Sequence, residues 1–448
     1  VALQATLFLL YNNYQIRHIL FRGKMIERDT PESGHRFALL YQLSQTFNAS
    51  LNLAEVLDRV MDEVVKTLKA ERGFVALRGE KGELDFRSAR GMDQTTIDHP
   101  EFEISRGIVD QVCQTGEGVH VSDAQMDDRF SSRHSVLNLK LRSILCAPLK
   151  LKDTILGVIY IDNRIYAGIF TEDDLDLLKA IAASAAIAIE NARLYEVAVE
   201  KGRMERELQM AYRVQSSLIP KEMPQIHGWE FAACWRPARQ VSGDFYDFSP
   251  AYDGQWNFII ADVTDKGMPA ALFMALTRSL VRSNIYQART LSDGITRANR
   301  LICEDSTISM PVTLFVCQLD PNTGDLTYVN AGHNPPMFYS VRRNEIIELS
   351  PTGMFMGFDN EAVYRQESLS LASGDFIICY TDGVLDAINV QKEAFEIGRF
   401  KKVIKENLKA SAMEMINAIE LSILEFIGEI HPYDDLTILI LRRTGEVS

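Results

Sequence analysis

Aspartates stand at the ends of apolar runs at four points in the second half of this sequence, each beside a glycine or a second acid. Ser242-Gly243-Asp244 precedes the run Trp256–Ala261, and Asp262-Val263-Thr264-Asp265-Lys266-Gly267 follows it. The run Phe376–Tyr380 leads into Thr381-Asp382-Gly383, and His431-Pro432-Tyr433-Asp434-Asp435 opens the run Leu436–Ile440. Short apolar runs bounded by turn residues read as buried strands, so Asp262 and Asp382 fall at carboxyl ends, where side chains enter a cleft. Gly243 and Gly267 allow tight turns and close approach of main-chain oxygens to a ligand. Carboxylates gathered this way repel one another unless a cation holds them. Oxygen donors without His or Cys among them suit magnesium or manganese rather than zinc. One strand-end Asp is ordinarily a turn residue or helix cap. Four of them weaken that reading.

Six segments, SGDFYD, ADVTDKGMPAALFM, NAGHNPP, PTGMFMG, YTDGVLDA and DDLTILIL, occur in this order. Together they resemble bacterial metal-dependent serine/threonine phosphatases, the sporulation stage II protein E and sigma-factor-regulator branch of the PP2C superfamily, over roughly residues 225 to 443. The resemblance implies two stacked β-sheets covered by helices on both sides, with the metal site at one edge between the sheets. It places Asp262 where a carboxylate bridges two metal ions, and Val263 where a main-chain carbonyl contacts metal. Asp382 and Asp434 match the remaining metal carboxylates, and Asp244 an acid that positions metal-bound water or binds metal. Asp435 and Asp247 are second choices. Two Mn2+ or Mg2+ ions about 4 Å apart would lower the pKa of bridging water and neutralise phosphate oxygens for in-line attack. The implied substrate is phosphoserine or phosphothreonine on a regulatory protein, in this family usually a phosphorylated anti-sigma-factor antagonist. His333 is either a substrate contact or proton donor, or a hydrogen-bonded part of a structural loop. Ser242 replaces a commoner Gly, and Asp265-Lys266 stands where many relatives have Gly-His. The phosphate-binding Arg of eukaryotic relatives has no secure match, although Arg236 and Arg239 lie nearby.

The elements ahead of these motifs read as a second module. Phe37, Leu40, Ser44 and Phe47 keep helical spacing, and Asn52 with Glu55 makes a capping pair before the helix face Leu53, Val56, Leu57, Val60, Met61, Val64, Val65 and Leu68. GFVALR and ELDFRSA flank a Gly79–Gly82 turn, Arg142–Leu149 and Thr154–Asp162 form another strand pair, and a long helix starts near Thr171. Helix, hairpin, variable middle, hairpin, helix is an α+β order. With ERGFVAL, GIVDQVCQTGEGVHVSD, SILCAPLKLKDTILGVIYIDN and FTEDDLDLLKAIAASAAIAIENARLY, it resembles GAF sensor domains. That resemblance implies a small-molecule ligand or a protein-sensing role. Asn163-Arg164, Phe170 and Asp174 partly match the signature of cyclic-nucleotide-binding GAF domains, and the same residues often only stabilise the fold. Cys113 and Cys146 read as core thiols.

Leu194, Val197, Lys201, Met204, Leu208, Ala211, Gln215 and Leu218 then alternate by three and four. This is a heptad seam with two polar interruptions, expected to form a parallel homodimer, and Pro220 and Pro224 stop it. The fold class expected is α+β: a GAF domain, a helical coiled-coil linker and a PP2C-like αββα sandwich. Boundaries fall at 1–36 (unassigned segment and linker), 37–195 (GAF), 196–224 (helical linker) and 225–448 (phosphatase).

Composition narrows the alternatives. At 448 residues, 46% of them hydrophobic, the chain has core for two or three domains. A net charge of −14 argues against nucleic-acid binding. The six cysteines are scattered without a Cys-x-x-Cys pair, as expected of reduced thiols in a cytoplasmic protein. No apolar run reaches the roughly 18 residues of a membrane span. Beginning on Val1, the sequence is expected to continue upstream. A catalytically dead scaffold keeps every aligned carboxylate unexplained, and a sensor kinase lacks a phosphoacceptor His box and a glycine-rich ATP lid. The expectation is therefore a sensor-controlled protein phosphatase.

Overall fold

The computed structural model describes residues 31–79, 83–91, 104–127, 140–305 and 310–445. The chain divides into two compact units, Val1–Gly202 and Arg203–Ser448. Segment 1–30, the tip of the expected Gly79–Gly82 turn and much of the variable middle lie outside the described residues.

In the first unit, α1 (Pro31–Phe47) precedes α2 (Leu53–Leu68), β1 (Arg72–Arg78) and β2 (Leu84–Gly91). Then come α3 (Arg106–Thr115), β3 (Val119–Val121), β4 (Ser143–Leu151), β5 (Thr154–Asn163) and the start of α4 (Glu172–Leu218). Residues 31–36, expected as linker, are the first turns of α1. Proline is tolerated in a first helical turn because its missing N–H has no intrahelical partner there. The Asn52 side chain caps α2 by accepting from the Glu55 N–H. The five strands order as β2-β1-β5-β4-β3 with antiparallel neighbours. On one face α2 and the first part of α4 pack Val56, Val60, Leu178 and Ile181 into a core, and on the other α3 contributes Ile108, Val109 and Val112. The cyclic-nucleotide-like residues hold this fold together. Asn163 Oδ1 accepts from the N–H groups of Ile165 and Tyr166, Arg164 pairs with Glu71, Phe170 is core, and Asp174 bonds Thr171 at the start of α4. Cys146 is buried and Cys113 half-buried, and burial pushes both thiols up, away from reactive thiolate.

α4 is a single helix of 47 residues. Leu194, Val197 and Met204 of the expected seam are exposed along it, whereas Gln215 is buried. Gln215 therefore leaves the seam and turns inward to its own unit, for a reason given below.

The second unit contains β6 (Trp229–Arg236), β7 (Phe245–Pro250), β8 (Trp256–Val263), α5 (Met268–Gln287), α6 (Leu291–Asp305), β9 (Val312–Leu319), β10 (Asp325–Ala331), β11 (Met337–Ser340) and β12 (Glu345–Glu348). β13 (Glu367–Ser370), β14 (Phe376–Tyr380), α7 (Glu396–Glu406), α8 (Ala412–Ile427) and β15 (Leu436–Arg443) complete it. Two five-stranded sheets, β13-β10-β9-β8-β7 and β12-β11-β14-β15-β6, form its middle. Phe258, Phe315, Ile377 and Leu439 join the inner faces in one core. α5 and α6 cover the first sheet through Met274, Val281, Ile295 and Ile302, and α7 and α8 cover the second through Phe400, Ile416 and Ile419. This is the αββα sandwich. β7 and β8 are antiparallel neighbours, as are β14 and β15, so in each sheet the two acidic turns lie side by side at one end of the strands.

Candidate active site

Asp244, just ahead of β7, is the innermost acid. It is fully buried, and its Oδ2 accepts hydrogen bonds from Thr381 Oγ1 (2.6 Å) and Thr437 Oγ1 (2.8 Å). Both threonines belong to the opposite sheet, so this carboxylate ties the two sheets together at their shared edge. Burial, then the charges of Asp262 and Asp435, push its pKa well above the usual carboxylate range, and the two hydroxyls oppose that.

Asp262, at the end of β8, is pushed up to about 7 by burial first and then by Asp382, Asp434 and Asp435, and a hydrogen bond with Asp244 works against the shift. Asp382 opens a single 3₁₀ turn after β14 and is pushed up to about 6 by burial, Asp434 and Asp386. Asp434, ahead of β15, meets a cation directly. Lys266 Nζ lies 2.9 Å from its Oδ2, donates to the Tyr433 carbonyl at 2.8 Å and sits 4.1 Å from the Tyr433 ring centre. Asp262 thus feels Asp244, Asp382 and Asp434, and Asp382 feels Asp434, a concentration of perturbed like charges of the kind that clusters at functional sites.

Val263 lies beside this group, and its carbonyl is approached closely by the Ser242-Gly243-Asp244 turn. A Cβ on Gly243 would stand 2.7 Å from Val263 O, which is why glycine occupies that position.

The second-choice acids have other work. Asp435 Oδ1 accepts from the Ala238 N–H at 2.7 Å and its Oδ2 from the Gly243 N–H at 2.9 Å, pinning the loop before Asp244. Asp247 is fully buried and held by Arg278 and Arg282 of α5. It fastens β7 to the covering helix. Arg236 pairs with Glu420 of α8 at 2.8 Å rather than turning to the acids. His333 is buried, with Nδ1 2.9 Å from Thr313 Oγ1, and burial pushes its pKa down to about 4. Thr313 is the cross-strand neighbour of Asp262, so His333 backs the site from inside the loop, as the structural-loop reading expects.

Sequence reasoning missed Thr381, Thr437, Trp235 and the inward role of Gln215. The threonines had a signal available, since each stands beside a motif acid, in Thr381-Asp382-Gly383 and Asp434-Asp435-Leu436-Thr437.

The donor set tests whether divalent metal suits this site. Carboxylates and one crowded carbonyl are hard oxygen donors of the kind magnesium and manganese take. Among the described residues, no three His, Cys, Asp or Glu side chains are gathered closely enough to hold a metal ion. The donor chemistry itself fits a hard divalent cation.

Both halves of the chain match known families. Residues 252–444 match the family model for stage II sporulation protein E, and residues 52–189 the GAF domain model. Over 241 residues the chain is 32% identical to the phosphoserine phosphatase RsbU of Bacillus subtilis, covering 53% of this chain and 70% of that protein. It is 30% identical to protein IcfG of Synechocystis over 55% of this chain and 43% of that one. The solved SiaA-PP2C domain of Pseudomonas aeruginosa aligns with 55% of this chain and 99% of its own at 21% identity, with a TM-score of 0.48. No helix among the described residues is long and apolar enough to cross a membrane. The chain belongs to the RsbU-type phosphoserine phosphatases, with a stage II sporulation protein E domain as its catalytic half and a GAF domain ahead of it.

Proposed function

We propose that Asp244, Asp262, Asp382 and Asp434, with the Val263 carbonyl, hold two Mn2+ or Mg2+ ions and hydrolyse phosphoserine or phosphothreonine on a cytoplasmic regulatory protein, an anti-sigma-factor antagonist. The observation that carries this reading is the set of mutually repelling acids at one sheet edge, with Asp262 pushed up to about 7 and Asp382 to about 6. When bound, the ions lower the pKa of water and neutralise phosphate oxygens. The chain's own contribution is placement. Thr381 and Thr437 fix the Asp244 carboxylate in one orientation, and Asp435 fixes the loop that carries it. Lys266 balances the charge of Asp434 through their ion pair. No Ser, Cys or His nucleophile is required, because water attacks phosphorus directly as the bond to the Ser or Thr oxygen breaks and that oxygen takes up a proton.

The exposed Leu194, Val197 and Met204 of α4 support a homodimer through the heptad seam, a second copy being the occupant that matches their spacing. The GAF unit would then set phosphatase output through a small molecule or protein input. The deciding experiment assays phosphate release by the full chain from a panel of phosphorylated regulator proteins, with manganese or with chelator. Release from one regulator that needs manganese is expected. Equal release in chelator removes this mechanism.

A further inference from the structure

We propose that Gln215 and Trp235 are positioning residues: through them the last turns of α4 set the backbone of the Ser242-Gly243-Asp244 turn, and with it the direction of the Asp244 carboxylate. The proposal rests on the reading of Asp244 as part of the phosphatase site and goes beyond it, because it gives the end of the linker helix a part in building that site.

Gln215 is 4% exposed, although Arg213, Val214 and Ser217 beside it lie open to solvent. Its amide is used at both ends on one residue. Nε2 donates to the Ser242 carbonyl at 2.6 Å, and the Ser242 N–H donates to Oε1 at 3.0 Å. Ser242 is fully buried, so neither of its main-chain groups can turn to water, and a lost partner would leave a buried polar group unsatisfied. The tie continues into the turn, where the Asp244 N–H donates to Ser242 Oγ at 3.0 Å.

A second contact comes from the same face of the helix, one turn earlier. The Tyr212 ring stacks on Trp235 with centres 5.8 Å apart and planes 3° from parallel. Trp235 Nε1–H in turn donates to the Asp244 carbonyl at 2.9 Å. The helix thus holds Ser242 directly and Asp244 through an indole. The Asp244 side chain is held from the other sheet by Thr381 and Thr437, and its backbone is held on one side by Asp435 through the Gly243 N–H and on the other by α4 through Ser242 and Trp235. Helix docking alone would not need this amide. Ile219 already sits in the core of the unit, and Tyr246 Oη–H donates to the Pro220 carbonyl at 2.7 Å. Moving the helix register by one residue turns it by about 100° and would take Tyr212 and Gln215 off their partners together.

The test uses the full chain and four variants: Gln215→Leu, Trp235→Phe, Val214→Ala on the exposed face, and Asp244→Asn. Manganese alone is titrated by electron paramagnetic resonance, and kcat and KM are measured on p-nitrophenyl phosphate, with melting followed in parallel. Gln215→Leu is expected to stay folded, keep KM, lose about tenfold or more in kcat and bind manganese several-fold more weakly, because the turn loses its restraint. Trp235→Phe keeps the ring but not the N–H, and a loss of about threefold or more in kcat is expected. Val214→Ala should match wild type. Should Gln215→Leu fail to fold, Trp235→Phe decides. Folded variants with wild-type kcat and manganese affinity overturn the proposal, as does a loss confined to melting temperature. Full activity of Asp244→Asn would instead overturn the reading of the site itself.

Discussion

At the scale of single residues, the four acids were legible because each closes or opens a short apolar strand, a local pattern. Their partners were not. Thr381 and Thr437 meet Asp244 from 137 and 193 positions away, and no local periodicity reports such a contact. The acids carry a direct prediction. Asp262→Asn or Asp382→Asn should cut manganese-dependent turnover by about a hundredfold or more while the unit stays folded, since each removes one charged oxygen donor at a strand end. Near-normal turnover of either folded variant would count decisively against these ligands. His333 carries a prediction about pH. Its folded pKa of about 4 lies below the ordinary 6.5, so between those values the unfolded chain binds a proton that the folded one refuses. Stability is therefore full above pH 6.5 and falls as pH drops towards 4, by up to about 3 kcal/mol. His333→Gln lowers stability overall by losing the Thr313 contact, yet its stability should change less steeply with pH across that window. Urea unfolding of the full chain can be followed by tryptophan fluorescence, because Trp229, Trp235 and Trp256 all lie in the catalytic unit. Identical pH slopes for the two proteins would remove His333 as the cause.

At the scale of elements, hairpins and helices were legible wherever sequence period and turn chemistry agreed. The segment Asp320-Pro321-Asn322-Thr323-Gly324 has the composition of a hairpin turn, and β9 pairs β10 around it. Two elements departed from expectation. α1 begins at Pro31, within a stretch that reads as linker because its polarity masks helical continuity. Gln215 reads as a polar flaw in a heptad seam because periodicity shows which face a residue lies on and not which partner waits there. The 3₁₀ turn Asp382–Val384 yields a further prediction. A Cβ on Gly383 would stand 1.9 Å from the Asp435 carbonyl oxygen, so the turn and the start of β15 cannot both stay in place. Gly383→Ala should lower stability by about 1–3 kcal/mol, in line with other buried backbone clashes. It should lower manganese-dependent kcat by a larger factor than its stability loss predicts, since Asp382 and Asp434 flank the clash. A variant with wild-type melting and turnover would show that the turn tolerates the displacement.

At the scale of the whole molecule, α4 is shared by the two units, and the division between them falls at Gly202. Glycine in a helix interior costs about 1 kcal/mol relative to alanine, and Lys201 beside it places a charge on the expected seam. A helix that is locally weak between two stronger stretches can exchange between continuous and broken forms separated by only a few kcal/mol. The catalytic end of this helix is tied to the Asp244 turn through Gln215 and Trp235, so its continuity and pairing would reach the site without any further device. Nothing stands within 4 Å of a Cβ placed on Gly202, which makes alanine there a clean way to stiffen the helix. The double variant Gly202→Ala with Lys201→Leu should strengthen self-association in sedimentation equilibrium by about tenfold, from the combined propensity and seam gain. Its basal manganese-dependent turnover should shift in the same preparation, because the stiffened helix ends on the Gln215 and Trp235 ties to Ser242 and Asp244. Unchanged association together with unchanged turnover would make the linker a passive spacer. Tighter association with unchanged turnover would separate the two roles, leaving α4 a dimer seam whose state the catalytic half does not read.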